Sequence, residues 1–145
     1  IKIAVTYANS LIVYLLELLK VPLENQQVVN DFMQSEPLES ISYIILIVVC
    51  APIAEEFVFR FFIYRGLLKF KVSKLLSALL SSLLFMGAHF NIQGAGAFFL
   101  IGMINCYLYD RRGYWAAVAN HFMFNFSSIV VLLLIKYLNI PLDAL

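Results

Sequence analysis

The chain has 145 residues, of which 63% are hydrophobic and 13% are charged. Soluble domains are about half apolar and about a quarter charged, so this composition excludes an ordinary soluble domain and indicates a membrane protein. The net charge is +1 and no basic cluster is present, so nucleic acid is not an expected partner. The length suits one helix bundle, and we expect residues 1–145 to form a single membrane-embedded domain surrounded by the lipid bilayer.

Five apolar stretches are candidates for membrane helices, which need about 20 residues each. They cover residues 3–19, 41–70, 75–90, 95–109 and 114–138, and the last stretch ends before Asn139 and Pro141. The second stretch is longer than a bilayer core requires, which predicts either a tilted, protruding helix or a kink at Pro52. The predicted fold is all-α, a polytopic transmembrane bundle of about five helices.

The loops between these stretches differ in charge. Residues 23–40 carry four acids and no base, so we predict a long water-exposed loop there. Residues 66–74 and 110–113 carry most of the lysines and arginines of the loops. Because basic loops remain in the cytoplasm, we expect these two loops inside, and the acidic loop and the C-terminus outside.

Three charged residues, Glu55, Glu56 and Arg60, lie inside the second apolar stretch. A charge at the bilayer centre costs about 2.5 to 3.5 kcal/mol, so such residues usually have a function. Glu56 and Arg60 are four residues apart and share one helix face, which predicts a supporting ion pair. Glu55 lies about 100° away around the helix. Without a partner in apolar surroundings, it suits the role of a general base.

The two histidines of the chain, His89 and His121, also lie in apolar stretches. Phe85 precedes the first histidine by four residues, and Asn125 follows the second by four. A carboxylate base, an imidazole that positions water, and an imidazole with a carboxamide that donate to an oxyanion are the parts of a minimal hydrolase. From spacing alone, a buried structural ion pair, an interhelical polar contact and an ion-transport path remain open alternatives.

Three sequence segments carry a resemblance to a known family. EEFVFR at residues 55–60 resembles the EExxxR motif, FMGAH at 85–89 resembles FxxxH, and HFMFN at 121–125 resembles HxxxN. These motifs belong, in this order, to the CPBP family of CAAX prenyl proteases and bacteriocin-processing enzymes, also called the Abi family. The resemblance covers about residues 41–130 and implies an intramembrane endopeptidase. Its expected substrate is a peptide or membrane protein, and its expected location is a bacterial cell membrane, with several spans.

The resemblance also implies roles for individual residues. It assigns Glu55 and His89 to activation of the attacking water, and His121 and Asn125 to the oxyanion. Glu56, Arg60 and Phe85 match positions that support the site. Members of the family usually have more than five helices, which leaves open whether N-terminal helices are missing from this chain.

Two alternatives accompany the protease interpretation. One is a non-catalytic bacteriocin-immunity or regulatory membrane protein on the same scaffold, and another is a small transporter with an intramembrane Glu–His proton path. No cofactor is expected. The alternative is Zn²⁺ held by Glu55, His89 and His121, since a carboxylate and two imidazoles can ligate zinc with a water in the fourth position.

A shared site places a condition on depth in the membrane. Glu55 lies about 21 Å along the second helix from Ile41, at 1.5 Å per residue, whereas His89 ends the third helix. The two meet only if the third helix ends at mid-depth and residues 91–96 line a water-filled cavity, because irregular backbone is tolerated at depth only there. We therefore predict a polar cavity around Asn91 and Gln93.

Overall fold

The computed structural model describes residues 1–140, and over this range it forms six helices. The bounds are α1 Lys2–Leu18, α2 Gln27–Gln34, α3 Pro37–Lys69, α4 Lys74–Ala88, α5 Ala95–Arg112 and α6 Tyr114–Tyr137. Each of the five apolar stretches is helical, so the all-α prediction is confirmed. Pro141 and the C-terminus, whose side of the membrane was predicted above, lie outside the described residues.

Two of these helices are long and apolar enough to cross a membrane. They are α3 with 33 residues and α6 with 24. In the most apolar window of each helix, only 17% and 22% of the residues are buried inside the protein, unlike the core helix of a soluble protein. Their apolar side chains therefore face outward, as contact with lipid requires.

The predicted count of five spans is not confirmed within residues 1–140. Helix α1 has 17 residues and α4 has 15, fewer than the about 20 residues of a usual membrane helix. Helix α5 has 18 residues but ends in Asp110, Arg111 and Arg112, so its apolar part is shorter still.

The acidic segment 23–40 contains a short helix, α2, where the sequence predicted only a loop. Phe32 is completely buried and packs against Val48 of α3 and Ile129 of α6. Gln27 donates a hydrogen bond from its side chain to Asp31 one turn later, at 2.8 Å. The loop prediction was wrong here because acidic composition concealed one apolar face that the bundle covers.

Helix α3 continues through Pro52 without interruption and is about 50 Å long at 1.5 Å per residue. Two segments of it, Leu46–Cys50 and Phe57–Tyr64, have π-helical hydrogen bonding. They flank the α-helical segment Ala51–Glu56, which carries both glutamates. Insertions of this kind occur frequently at functional sites because they change the direction in which side chains point.

Helices α4 and α5 approach each other closely at Gly102. A Cβ atom added there would lie 2.9 Å from Cβ of Ser82, too close for a real contact. Ser77, Ser81 and Ser82 are completely buried along α4. Small residues at such a contact are characteristic of helices that pack in membranes, where close backbone approach supplies the attraction.

Helix α1 holds the connection between α4 and α5. The side chain of Asn9 accepts a hydrogen bond from the Ala97 N–H at 2.9 Å and donates one to the Gln93 carbonyl at 3.0 Å. A single amide therefore satisfies two backbone groups at the start of α5.

Candidate active site

A cavity of about 390 Å³ lies between α2, α3, α5, α6 and the C-terminal end of α4. Its lining includes all four residues predicted to be catalytic: Glu55, His89, His121 and Asn125. Most of the other lining residues are apolar. The fold therefore brings together side chains from three apolar stretches that are far apart in the sequence.

A second cavity of about 550 Å³ is also lined by Glu55 and His89. Polar residues 24–27 and Asn91 contribute to its wall. The carboxylate and the first imidazole thus lie where an apolar cavity and a more polar one meet.

The length of α4 explains how His89 reaches this position. At 15 residues the helix is about 22 Å long, shorter than the bilayer core of about 30 Å. His89 follows its last residue and contributes to the same two cavities as Glu55. The predicted polar cavity is found at Asn91, whereas Gln93 lies against α1, where its carbonyl oxygen accepts from Asn9.

Glu56 is the centre of a buried polar network. Its Oε2 lies 3.0 Å from Nε of Arg60, so the ion pair expected from their spacing is present, and both side chains are completely buried. Its Oε1 accepts hydrogen bonds at 2.8 Å from Nδ2 of Asn105 and at 2.8 Å from Nδ1 of His121. One carboxylate therefore connects α3, α5 and α6.

This network determines which nitrogen of His121 is directed at Glu55. An ionised carboxylate can only accept, so Nδ1 of His121 carries the proton in its bond to Glu56. The opposite nitrogen, Nε2, lies 3.6 Å from Oε2 of Glu55. That separation exceeds the length of a direct hydrogen bond.

The adjacent glutamates have different surroundings. The Glu55 side chain is 29% exposed, whereas that of Glu56 is 0% exposed. Oε2 of Glu55 is buried and has no hydrogen-bond partner among residues 1–140. The separation predicted from their angle around the helix is therefore present, with one carboxylate in the network and its neighbour at the cavity.

Arg60 contacts Glu56 mainly through charge. Its guanidinium lies 4.5 Å from the ring centroid of Phe85, and Nη2 donates to the Gly102 carbonyl at 3.5 Å. The contact with Glu56 is short but is not aligned as a hydrogen bond, and within residues 1–140 neither Nε nor Nη1 has an acceptor. Arg60 therefore stabilises Oε2 of the buried carboxylate through the proximity of its positive charge, whereas Oε1 has the hydrogen bonds from Asn105 and His121.

The His89 ring is held by backbone and aromatic contacts. Its Nδ1 lies 2.8 Å from the carbonyl oxygen of Phe85, and because a carbonyl only accepts, Nδ1 is the donor. The imidazole stacks on Phe98 with ring centroids 4.0 Å apart and meets the edge of Phe85 at 4.6 Å. Phe85 also contacts His121 edge-to-face at 5.7 Å. Its ring therefore packs against both imidazoles, consistent with the predicted supporting position.

Asn125 makes its hydrogen bond to the backbone of α3. Its Nδ2 donates to the carbonyl oxygen of Ile47 at 2.9 Å. A carboxamide has two N–H bonds, so one remains for another acceptor.

Sequence reasoning missed three residues of this region. Asn105 bonds to Glu56, and Asn120 donates to Oδ1 of Asn105 at 2.8 Å. Both are asparagines in apolar stretches, so the argument that selected the glutamates could have found them. Nothing in the sequence distinguishes Phe98, which stacks on His89, from the other aromatic residues.

The zinc alternative requires Glu55, His89 and His121 to converge on one point. Over the part of the chain that the structure describes, no group of three or more His, Cys, Asp or Glu side chains is arranged to hold a metal ion. The zinc alternative stays a prediction, and we derive no chemical step through a metal ion.

The fold and the cavity define a class of protein: a helical membrane protein with glutamates and histidines gathered between its helices. A family model described as Rce1-like, type II CAAX prenyl endopeptidase, matches residues 37–127, which is more than half of the chain. The chain belongs to this Rce1-like family. No curated protein and no solved structure matches it significantly.

Family membership gives the broad biochemical class. It implies a hydrolase of the CAAX-protease type. Together with the two apolar helices, it also indicates a membrane protein. The matched segment contains all three motifs recognised in the sequence. The roles of the individual residues stay predictions.

Proposed function

We propose that the protein is an intramembrane endopeptidase that hydrolyses a peptide bond by means of a water molecule activated by Glu55 and His89. The observation that carries the proposal is the grouping of Glu55, His89, His121 and Asn125 around one cavity. A peptide or a membrane-associated protein is the proposed substrate.

In this mechanism, Glu55 is the general base. Its partly exposed carboxylate, on the wall of both cavities, takes a proton from water while the water oxygen attacks the carbonyl carbon of the scissile bond. Nε2 of His121 lies 3.6 Å from this carboxylate, beside the proposed position of the attack. His89, on the wall of both cavities, orients the water from the other side.

The developing oxyanion needs hydrogen-bond donors. The N–H of Asn125 that is not bonded to Ile47 is one candidate. His121 donates from Nε2 only when both of its nitrogens carry protons, and the charge of Glu56 compensates that positive ring. The tetrahedral intermediate then collapses as the C–N bond breaks, and the leaving amine takes the proton from Glu55.

The lining of the cavities suggests the shape of the substrate. The cavity around the four residues is mostly apolar, and the adjoining one is more polar. We propose a chain whose apolar part lies in the first cavity and whose polar part leaves through the second. The resemblance to bacteriocin-processing enzymes supports a multi-pass protein of a bacterial cell membrane.

The test uses the purified protein in detergent with quenched fluorescent peptides, both prenylated at a cysteine and unmodified. Glu55→Gln keeps the shape and removes the base, so kcat should fall by about 100-fold or more. Glu17→Gln, the same substitution at an exposed position of α1, is the matched control and should leave kcat unchanged.

Two outcomes would contradict the proposal. One is undiminished hydrolysis by Glu55→Gln. The other is wild-type protein that cleaves none of the peptides while its phenotype in cells survives Glu55→Gln, which would favour the non-catalytic alternative.

A further inference from the structure

The π-helical segment of α3 leaves one backbone carbonyl without its usual donor. In this register each N–H bonds to the carbonyl five residues earlier, and the Ala51 N–H donates to the Leu46 carbonyl in this way. The next residue is Pro52, which has no N–H. The Ile47 carbonyl therefore has no helical donor, because the Ala51 N–H four residues later bonds to Leu46 and the residue five later is Pro52.

Asn125 from α6 supplies the missing donor. Its Nδ2 lies 2.9 Å from the Ile47 carbonyl oxygen. Ile47 and Asn125 both line the apolar cavity, and Pro52 is completely buried one turn before Glu55. In a plain α-helical register, the Ala51 N–H would bond to the Ile47 carbonyl, so the π-helical bond from Ala51 to Leu46 leaves that carbonyl to Asn125.

The bond fixes the orientation of the carboxamide. One N–H is held by a backbone atom in a continuous helix, so the position of the other N–H at the cavity is set as well. A side chain without this anchor would sample several rotamers, and only one of them would present the N–H correctly. Preorganised donors stabilise an oxyanion because they need no rearrangement during the reaction.

We infer that Pro52 is a positioning residue for Asn125, acting through the carbonyl that its missing N–H leaves free. The inference rests on the proposed function for the role of Asn125 in hydrolysis. The contact itself is independent of any activity. Pro52 lies three residues before the first recognised motif, and none of the three motifs includes it.

The kinetic test is a double-mutant cycle. Pro52→Ala supplies an N–H that competes with Asn125 for the Ile47 carbonyl, so kcat should fall by about tenfold while KM stays constant. Asn125→Ala should lower kcat by about 100-fold, as expected when an oxyanion donor is lost. Adding Pro52→Ala to Asn125→Ala should then not lower kcat any further. Pro37→Ala is the matched control, because Pro37 is at the first position of α3, where an N–H has no intrahelical partner.

Thermal melting tests the contact without reference to activity. Asn125→Ala should lower the melting temperature by several degrees with Pro52 present and by clearly less with Pro52→Ala, where the backbone N–H replaces the amide. For the same reason, Pro52→Ala should raise the melting temperature of Asn125→Asp, whose carboxylate cannot donate to a carbonyl. Pro52→Ser carries the same N–H and serves as the second variant if Pro52→Ala does not accumulate.

The outcomes distinguish failure of the Pro52 inference from failure of the proposed function. Additive effects in both the kinetic and the melting cycles would overturn the inference. Coupled melting temperatures in a protein without peptidase activity would confirm the Pro52–Asn125 contact and refute the proposed function. Coupled melting temperatures with additive losses in kcat would reduce Pro52 to a structural role and overturn the positioning role inferred here.

Discussion

The buried network around Glu56 predicts that Glu56→Gln destabilises the protein. The side chain keeps its shape but loses its charge, and one acceptor oxygen becomes a donor. If the new NH₂ group replaces Oε2, it faces the guanidinium of Arg60, whose Nε lies 3.0 Å away. If it replaces Oε1, it faces the donors of Asn105 and His121, both at 2.8 Å. Neither orientation satisfies all three partners.

The expected cost follows from burial. Arg60 is completely buried and would lose its counter-charge, and breaking a buried ion pair by removal of one partner costs about 3 to 5 kcal/mol. For a chain of this size, that loss lowers the melting temperature by about 10 °C. The measurement is thermal unfolding in detergent, followed by circular dichroism at 222 nm, a wavelength set by the helical backbone.

Glu55→Gln is the matched control, because it changes the neighbouring residue in the same way. Glu55 is partly exposed, and among residues 1–140 its one charged contact is that with His121 at 3.6 Å, so Glu55→Gln should change the melting temperature little. Addition of Arg60→Met to Glu56→Gln should recover part of the loss, since no unpaired buried charge then remains. Equal effects of Glu55→Gln and Glu56→Gln would refute the assignment of separate environments to the two glutamates.

Three further predictions concern packing, the α2 contact and metal dependence. Gly102→Ala should destabilise the fold by about 1 to 3 kcal/mol through overpacking against Ser82, whereas Gly87→Ala, with open space around its Cβ, should be neutral or slightly stabilising in thermal melts. Lys136 donates from Nζ to the carbonyls of Phe32 and Ser35 at 2.7 and 2.6 Å, so Lys136→Met should speed proteolysis of the segment around α2, and an unchanged cleavage rate would show that the contact is dispensable. Peptide hydrolysis should persist after treatment with 1,10-phenanthroline, and a loss that Zn²⁺ restores would instead favour the zinc alternative.

The membrane class and the helices follow from local sequence properties. Apolar stretches of sufficient length and the scarcity of charge predicted an all-α membrane protein, and each predicted stretch is helical. The spacing of four residues between Glu56 and Arg60 predicted their ion pair, since residues at this spacing share one helix face whatever the rest of the chain does.

Span count and loop structure depend on more than composition. Helices α1 and α4 have fewer residues than the usual membrane helix, so five spans are not confirmed, and the acidic loop contains α2 because Phe32 is covered by α3 and α6. The burial of Phe32 depends on helices that are distant in sequence. Local sequence patterns therefore could not predict it.

In the candidate site, too, some features follow from the local sequence and others depend on tertiary packing. The sequence by itself determined which residues are candidates for the chemistry: two glutamates, an arginine, two histidines and an asparagine in apolar stretches. Only the tertiary structure decided how they meet. In the packed bundle, His121 and Asn105 both form hydrogen bonds to Glu56, and Asn125 donates to the carbonyl of Ile47. The physical reason is that helix periodicity fixes the face on which a side chain lies, whereas depth, rotation and the hydrogen-bond partner across the bundle depend on how whole helices pack.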